Sequence, residues 1–223
     1  MSFFKKILFS FIFIVVSGTG NAAIVTVNGN TVSFTYDNAL TTLFGAPIIS
    51  GNSLFFLPAN FKAQSLDGGA SALTSNTFQF KIDALGGHHI SNLALTEKGD
   101  YILDGDKAKI SALGELRAVD VKAPFQEFIS KIVTDPFAQT GLVKTGDWTA
   151  TANLAFTPNI TKALYISIEN ILLAKTGIKD DFAFIEKKFV GLTITAVPLP
   201  QAVWLFGAGL ISLLSISKRR KLF

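Results

Sequence analysis

Apolar and polar residues alternate with a period of two along much of residues 24–196. Phe78, Phe80 and Ile82 share one face of such a run, and Trp148, Ala150, Ala152, Leu154 and Phe156 share the face of another. Leu164, Ile166 and Ile168 repeat the pattern, whereas residues 189–196 alternate less cleanly. Successive side chains on a strand point to opposite faces, so each run predicts a strand with one buried side. Asn28-Gly29-Asn30, between Ile24-Val25-Thr26-Val27 and Val32-Ser33-Phe34-Thr35-Tyr36, predicts a tight hairpin. Asp67-Gly68-Gly69, Gly86-Gly87, Lys98-Gly99-Asp100 and Asp104-Gly105-Asp106 supply turn formers between runs. One segment has another period. Phe125, Phe128, Ile129 and Ile132 follow helical spacing and predict a short helix over residues 124–134. Many short strands and frequent turns predict a mainly β ectodomain over residues 23–196, a two-sheet β-sandwich of jelly-roll-like form. Its length suits one domain with a sizeable core, and no fixed-period repeat is present.

Both ends abandon alternation for unbroken apolar runs. Lys5 and Lys6 close a short basic segment ahead of ILFSFIFIVV at residues 7–16, and small and polar residues follow to Ala23. That run is roughly half of what a bilayer span needs and fits the apolar region of a signal peptide. Gly20 and Ala22 are the small residues signal peptidase requires, so residues 1–22 are expected to be removed between Ala22 and Ala23. A retained N-terminal anchor is the alternative. At the other end, AVWLFGAGLISLLSI at residues 202–216 predicts a transmembrane helix over residues 201–217. Pro200 suits its first turn. Lys218, Arg219, Arg220 and Lys221, within the tail of residues 218–223, should stay cytoplasmic as a stop. Lys5 and Lys6 make the same demand, so both ends place residues 23–196 outside the cytoplasm.

The order Val197-Pro198-Leu199-Pro200, a short apolar helix with Trp204, Gly207 and Gly209, and a basic cluster resembles the PEP-CTERM sorting signal. The tail, residues 197–223, is similar to the variant with Pro-Leu-Pro in place of Pro-Glu-Pro. Gln201 departs from the small residue usual there, and the missing Glu leaves open which exosortase type reads it. The resemblance implies recognition by an exosortase, a membrane protease of Gram-negative bacteria that make extracellular polysaccharide. It further implies a transient stay in the inner membrane and release to the cell surface or extracellular matrix, after the export by the Sec translocon that the N-terminal pattern predicts. Residues 36–47, Leu54-Phe55-Phe56 and residues 91–102 resemble ectodomains that precede such signals, with no implied activity. The expected role is structural or interaction, with extracellular polysaccharide as a further partner. A permanently anchored bitopic protein and an exported hydrolase are the alternatives.

Composition narrows the chemistry. Aromatic residues make up 12% of the chain, 21 of them Phe, which excludes a disordered chain. No cysteine is present, which removes disulfides, thiol nucleophiles and cysteine-bound metals. The net charge of +4 would suggest nucleic acid, but six basic side chains lie in the two tails. The middle then carries more acid than base, and nucleic acid is not an expected partner.

No catalytic motif emerges, and no cofactor is expected. His88-His89 sit side by side after Gly86-Gly87, where strand geometry points them apart, so they read as a solvated turn. No G-x-S-x-G elbow is present. Glu97, Glu115, Glu127, Glu169 and Glu186 stand in no recognisable motif. Asp100, Asp104 and Asp106 are the metal candidates, with calcium as the ion, although the EF-hand spacing is absent and Lys107 and Lys109 balance the charge. Asp180-Asp181 reads as a charged loop, and Asn159-Ile160-Thr161 as a bare glycan acceptor pattern. Trp148, Tyr36, Tyr101 and Tyr165 could bind sugar if exposed, but their alternation predicts core positions.

Overall fold

Two antiparallel sheets stack face to face in the computed structural model, which describes residues 23–133, 137–138, 143–156, 161–198 and 208. β1 (Ile24–Asn28) and β2 (Val32–Asp37) form the predicted hairpin. Two 3-10 turns, Asn38–Leu40 and Thr42–Phe44, lead to β3 (Ile48–Ser50), β4 (Ser53–Phe56) and β5 (Lys62–Leu66). Longer strands follow: β6 (Ala72–Ala84), β7 (His88–Asp104), β8 (Lys109–Asp120) and β9 (Ala123–Val133). After β10 (Phe137–Ala138) come β11 (Lys144–Ala155), β12 (Ala163–Lys175) and β13 (Phe182–Pro198). The first sheet runs β1-β2-β6-β12-β8-β10, with β9 also on β8. The second runs β11-β7-β13-β4-β3, with β5 also on β13. The expected two-sheet β-sandwich is the observed architecture.

Alternation fills the space between the sheets. Phe78, Phe80, Ile82, Leu164, Ile166 and Ile168 point inward from the first sheet, and Trp148, Ala150, Ala152 and Leu154 from the second. Phe44, carried in by the second 3-10 turn, meets Phe56 at 5.3 Å, Phe61 at 5.8 Å and Phe78 at 6.0 Å between ring centroids. Each such side chain contributes about 1.5–3 kcal/mol on leaving water, enough to fix the register of both sheets.

Three expectations need correction. The helix expected over residues 124–134 is not formed as far as residue 133: β9 pairs along β8 from Asp120↔Ala123 to Leu113↔Val133. The helical spacing mixed two strand faces. Phe125 and Ile129 are exposed on one side, whereas Ile132 is buried and Phe128 packs on Phe156 at 4.9 Å on the other. An isolated helix that short is marginal, and pairing with β8 wins. Lys98-Gly99-Asp100 is not a turn but the middle of the 17-residue β7. Gly99 is there for close approach, because a Cβ would lie 2.6 Å from Trp148 Nε1 and 1.9 Å from Glu186 O. β13 also runs past residue 196, the expected domain end: Val197 pairs with His89 and Pro198 with His88.

The expected signal peptide of residues 1–22 lies outside the described residues, as do Leu199, Pro200, Trp204, Gly207, Gly209 and the basic tail. Of the predicted transmembrane helix only Ala208 is described, and it is helical. Among the described residues no helix is long and apolar enough to cross a membrane.

Candidate functional site

The outer face of the first sheet is built by register. Thr35, Lys81, Tyr165 and Val119 stand side by side on β2, β6, β12 and β8. In the neighbouring row, Gln79, Ser167 and Arg117 stand beside one another on β6, β12 and β8. These side chains, with Ile24 and Asp37, line a groove of about 540 Å³. Tyr36, Phe80 and Tyr165 are its aromatic members, and of these Tyr165 stands out, 55% exposed at the centre of the sheet. This overturns the expected core position. The alternation is present, but Tyr165 occupies the opposite phase from Leu164 and Ile166. The other aromatics do pack: Trp148 and Tyr101 are buried, and Tyr36 lies 6.1 Å from Phe78.

The charges around the groove are held by partners. Arg117 Nη1 donates to Glu127 Oε1 at 2.6 Å and Nε donates to Glu115 Oε1 at 3.1 Å. Lys131 Nζ donates to Glu115 Oε2 at 2.6 Å. Hydrogen bonds from Lys131 and then Arg117 hold the Glu115 carboxyl below its usual range, and the same contacts raise Arg117 above its own. Lys81 Nζ lies 2.7 Å from Asp83 Oδ1. The guanidinium is fixed by two carboxylates, which sequence spacing did not disclose because Glu127 arrives from another strand. Alternating charge across β8 and β9 was the available signal.

The residues singled out for chemistry do not converge. His88 begins β7 and Asp104 ends it, so 16 residue steps of strand, on the order of 50 Å, separate them. His88 Nδ1 bonds Leu85 O at 2.9 Å, while His89 is buried, with its pKa lowered by burial and then by Lys162 and His88. Asp100 pairs with Lys188, which also reaches Glu186 Oε1 at 3.0 Å. Asp106 is exposed in the turn after Asp104. Among the described residues no cluster of three or more His, Asp or Glu side chains could hold a metal ion.

His89 is thus no part of a solvated turn, and two further polar residues are also buried. Asp181, expected in a charged loop, is 2% exposed and accepts from Gly177 N at 2.9 Å and Ile178 N at 3.1 Å. Burial pushes its pKa up, but the backbone donors of Gly177, Ile178 and Lys107, with the Lys107 charge, outweigh it and hold it below the usual value. Thr161 of the glycan pattern is buried, its Oγ1 donating to Asp120 Oδ2 at 3.0 Å; Asn159 lies outside the described residues.

No protein-family model matches the sequence, and no curated protein matches it. Among solved structures the chain is similar to the carbohydrate-binding module TmCBM61 in complex with β-1,4-galactotriose. The two share 14% identity over 79% of this chain and 90% of that one, with a TM-score of 0.21. The infectious bursal disease virus VP2 subviral particle is similar at 9% identity over 85% of this chain and 59% of that one, TM-score 0.25. A structure described under the carbohydrate-binding modules of the β-sandwich superfamily has 9% identity, 80% and 87% coverage, and a TM-score of 0.17. At these values the likeness assigns no ligand to this chain.

Proposed function

We propose that this chain is an exported surface or matrix protein whose ectodomain holds a polysaccharide across the groove of the first sheet. The observation that carries the reading is Tyr165, an exposed aromatic at mid-sheet with Arg117, Gln79 and Ser167 beside it. An aromatic face takes the C–H side of a sugar ring, and the flanking donors and acceptors take its hydroxyls. The charged side chains are already paired, so the groove suits a neutral chain better than a polyanion. Affinity electrophoresis in gels cast with a β-glucan, a galactan or an acidic uronan tests this. Retardation by a neutral polymer, weakened about tenfold by Tyr165→Ala, is expected. Equal retardation of wild type and variant overturns the groove.

Delivery follows from the tail. The motif Val197-Pro198-Leu199-Pro200 and the helix and basic stop after it support sorting by an exosortase, with residues 218–221 held in the cytoplasm. Strand backbone is already hydrogen-bonded, and β13 is paired through Pro198, so the cut falls at Leu199 or Pro200. Mass spectrometry of surface-released protein is expected to find an end near residue 199. A product still carrying Trp204 and Arg219 replaces sorting with permanent anchoring.

A further inference from the structure

Three polar side chains of matching chemistry lie at full burial inside this sandwich. Lys187 is 1% exposed, and Glu97 and Asn170 are both 0% exposed. Lys187 Nζ bonds Glu97 Oε2. The ammonium also lies 5.4 Å from the Phe61 ring and 5.5 Å from the Trp148 ring. Gly99 leaves the room that lets Trp148 lie there.

Topology sets Asn170 opposite. β12 and β13 belong to different sheets and are joined by residues 176–181. Outward from that connection, the inward positions of β12 are Ala174, Leu172, Asn170 and Ile168. Those of β13 are Ala183, Ile185, Lys187 and, past a bulge, Val190. Asn170 and Lys187 are each the third inward position from that connection, on strands of opposite sheets. Stacked sheets lie roughly 10 Å apart with strands nearly aligned, a gap that a lysine and an asparagine side chain together span.

The polar bookkeeping is open in a specific way. Asn170 Nδ2, Asn170 Oδ1 and Glu97 Oε1 are buried without a hydrogen-bond partner. Each such atom costs about 1–3 kcal/mol, and native cores rarely carry several. A buried ion pair likewise gives little stability against a hydrophobic replacement. One covalent step would account for all of them.

We propose that the Lys187 and Asn170 side chains join in an amide bond, with Glu97 as the acid–base catalyst. Within the ion pair Lys187 passes a proton to Glu97, leaving a neutral amine and a neutral acid. The Nζ lone pair attacks Asn170 Cγ while the Glu97 acid proton stabilises the oxygen. The new Cγ–Nζ bond forms, the Cγ–Nδ2 bond breaks, and Nδ2 takes a proton relayed from Nζ through Glu97 and leaves as ammonia. Glu97 ends protonated, and nothing is oxidised or reduced. The product removes the buried ammonium, the orphaned Nδ2 and the unpaired Oδ1 together, because the amide oxygen accepts from Glu97 and the amide N–H donates to it. Burial lowers the Lys187 pKa against the opposing pull of Glu97, which favours the amine. Phe61 and Trp148 exclude water that would compete as nucleophile. In a chain without cysteine, such a bond would staple β13, the strand that leads to the tail, onto the other sheet.

Trypsin digestion of the purified full chain tests it. The wild type should yield a branched peptide joining residues 163–175 to residues 180–188, lighter than the two separate peptides by one ammonia, about 17 Da. No cleavage should occur after Lys187. Glu97→Gln should slow branching roughly 10²-fold. Asn170→Asp should give the same branched mass by loss of water, which separates chemistry from misfolding. A wild type that yields linear 163–175 and is cut after Lys187 overturns the proposal. Unchanged branching in Glu97→Gln overturns the role of Glu97.

Discussion

Two clusters of opposite charge sit in this β-sandwich within different surroundings. Glu115, Arg117, Glu127 and Lys131 face outward from β8 and β9, with the Arg117 side chain 41% and Lys131 70% exposed. Glu97 and Lys187 face inward from β7 and β13, each fully enclosed. The outer cluster keeps most of its hydration, so its pairs are worth about 0–1 kcal/mol each, and its donors remain available to a ligand. The inner pair has given up its water, and its Coulomb attraction does little more than offset that loss. The same residue types therefore meet unlike surroundings: outside they keep their water and stay reachable, and inside they are enclosed together.

The largest expected effect comes from stranding one inner charge. Glu97→Ala leaves Lys187 unjoined to Asn170 and alone in the core, and should cost about 3–5 kcal/mol in urea unfolding. A loss below about 1 kcal/mol would mean that the pair is hydrated after all. A middle case tests burial with a lone carboxylate. The Asp181 pKa is lowered in the folded state, so its contribution is complete above its unfolded pKa and is lost as pH falls through the folded value. Thermal melts from neutral to acid pH should show wild type losing Tm in the acid range, and Asp181→Asn starting lower with a flatter acid limb. An unchanged limb would remove Asp181 as a contributor. The smallest effect on stability belongs outside. Arg117→Ala should change unfolding free energy by less than about 1 kcal/mol while weakening retardation in polysaccharide gels several-fold. A large stability loss with unchanged retardation would reverse the roles of the two clusters.

Periodicity alone was enough for much of the fold. Trp148, Ala150, Ala152 and Leu154 are buried as their alternation requires, and Asn28-Gly29-Asn30 turns the first hairpin. These signals are local: a pleat sends every second side chain to one face whatever lies beyond it. Strand length and partnership were not local. Residues 124–134 carried a helical spacing until β8 offered eleven residues of strand a partner, and Lys98-Gly99-Asp100 looked like a turn until Trp148 lay over Gly99. Which phase faces solvent was also undecided for Tyr165, because alternation gives two faces and only the stacking of the second sheet says which is covered. The site was least legible. Glu97, Asn170 and Lys187 come from three strands and stand in no motif, and Arg117 and Glu127 meet only through the β8–β9 register. The sequence by itself determined a sandwich-forming pattern and the character of both tails, since hydrophobicity and charge act residue by residue. Only the tertiary structure decided which polar groups were deprived of water together, because desolvation depends on what the rest of the chain places around them.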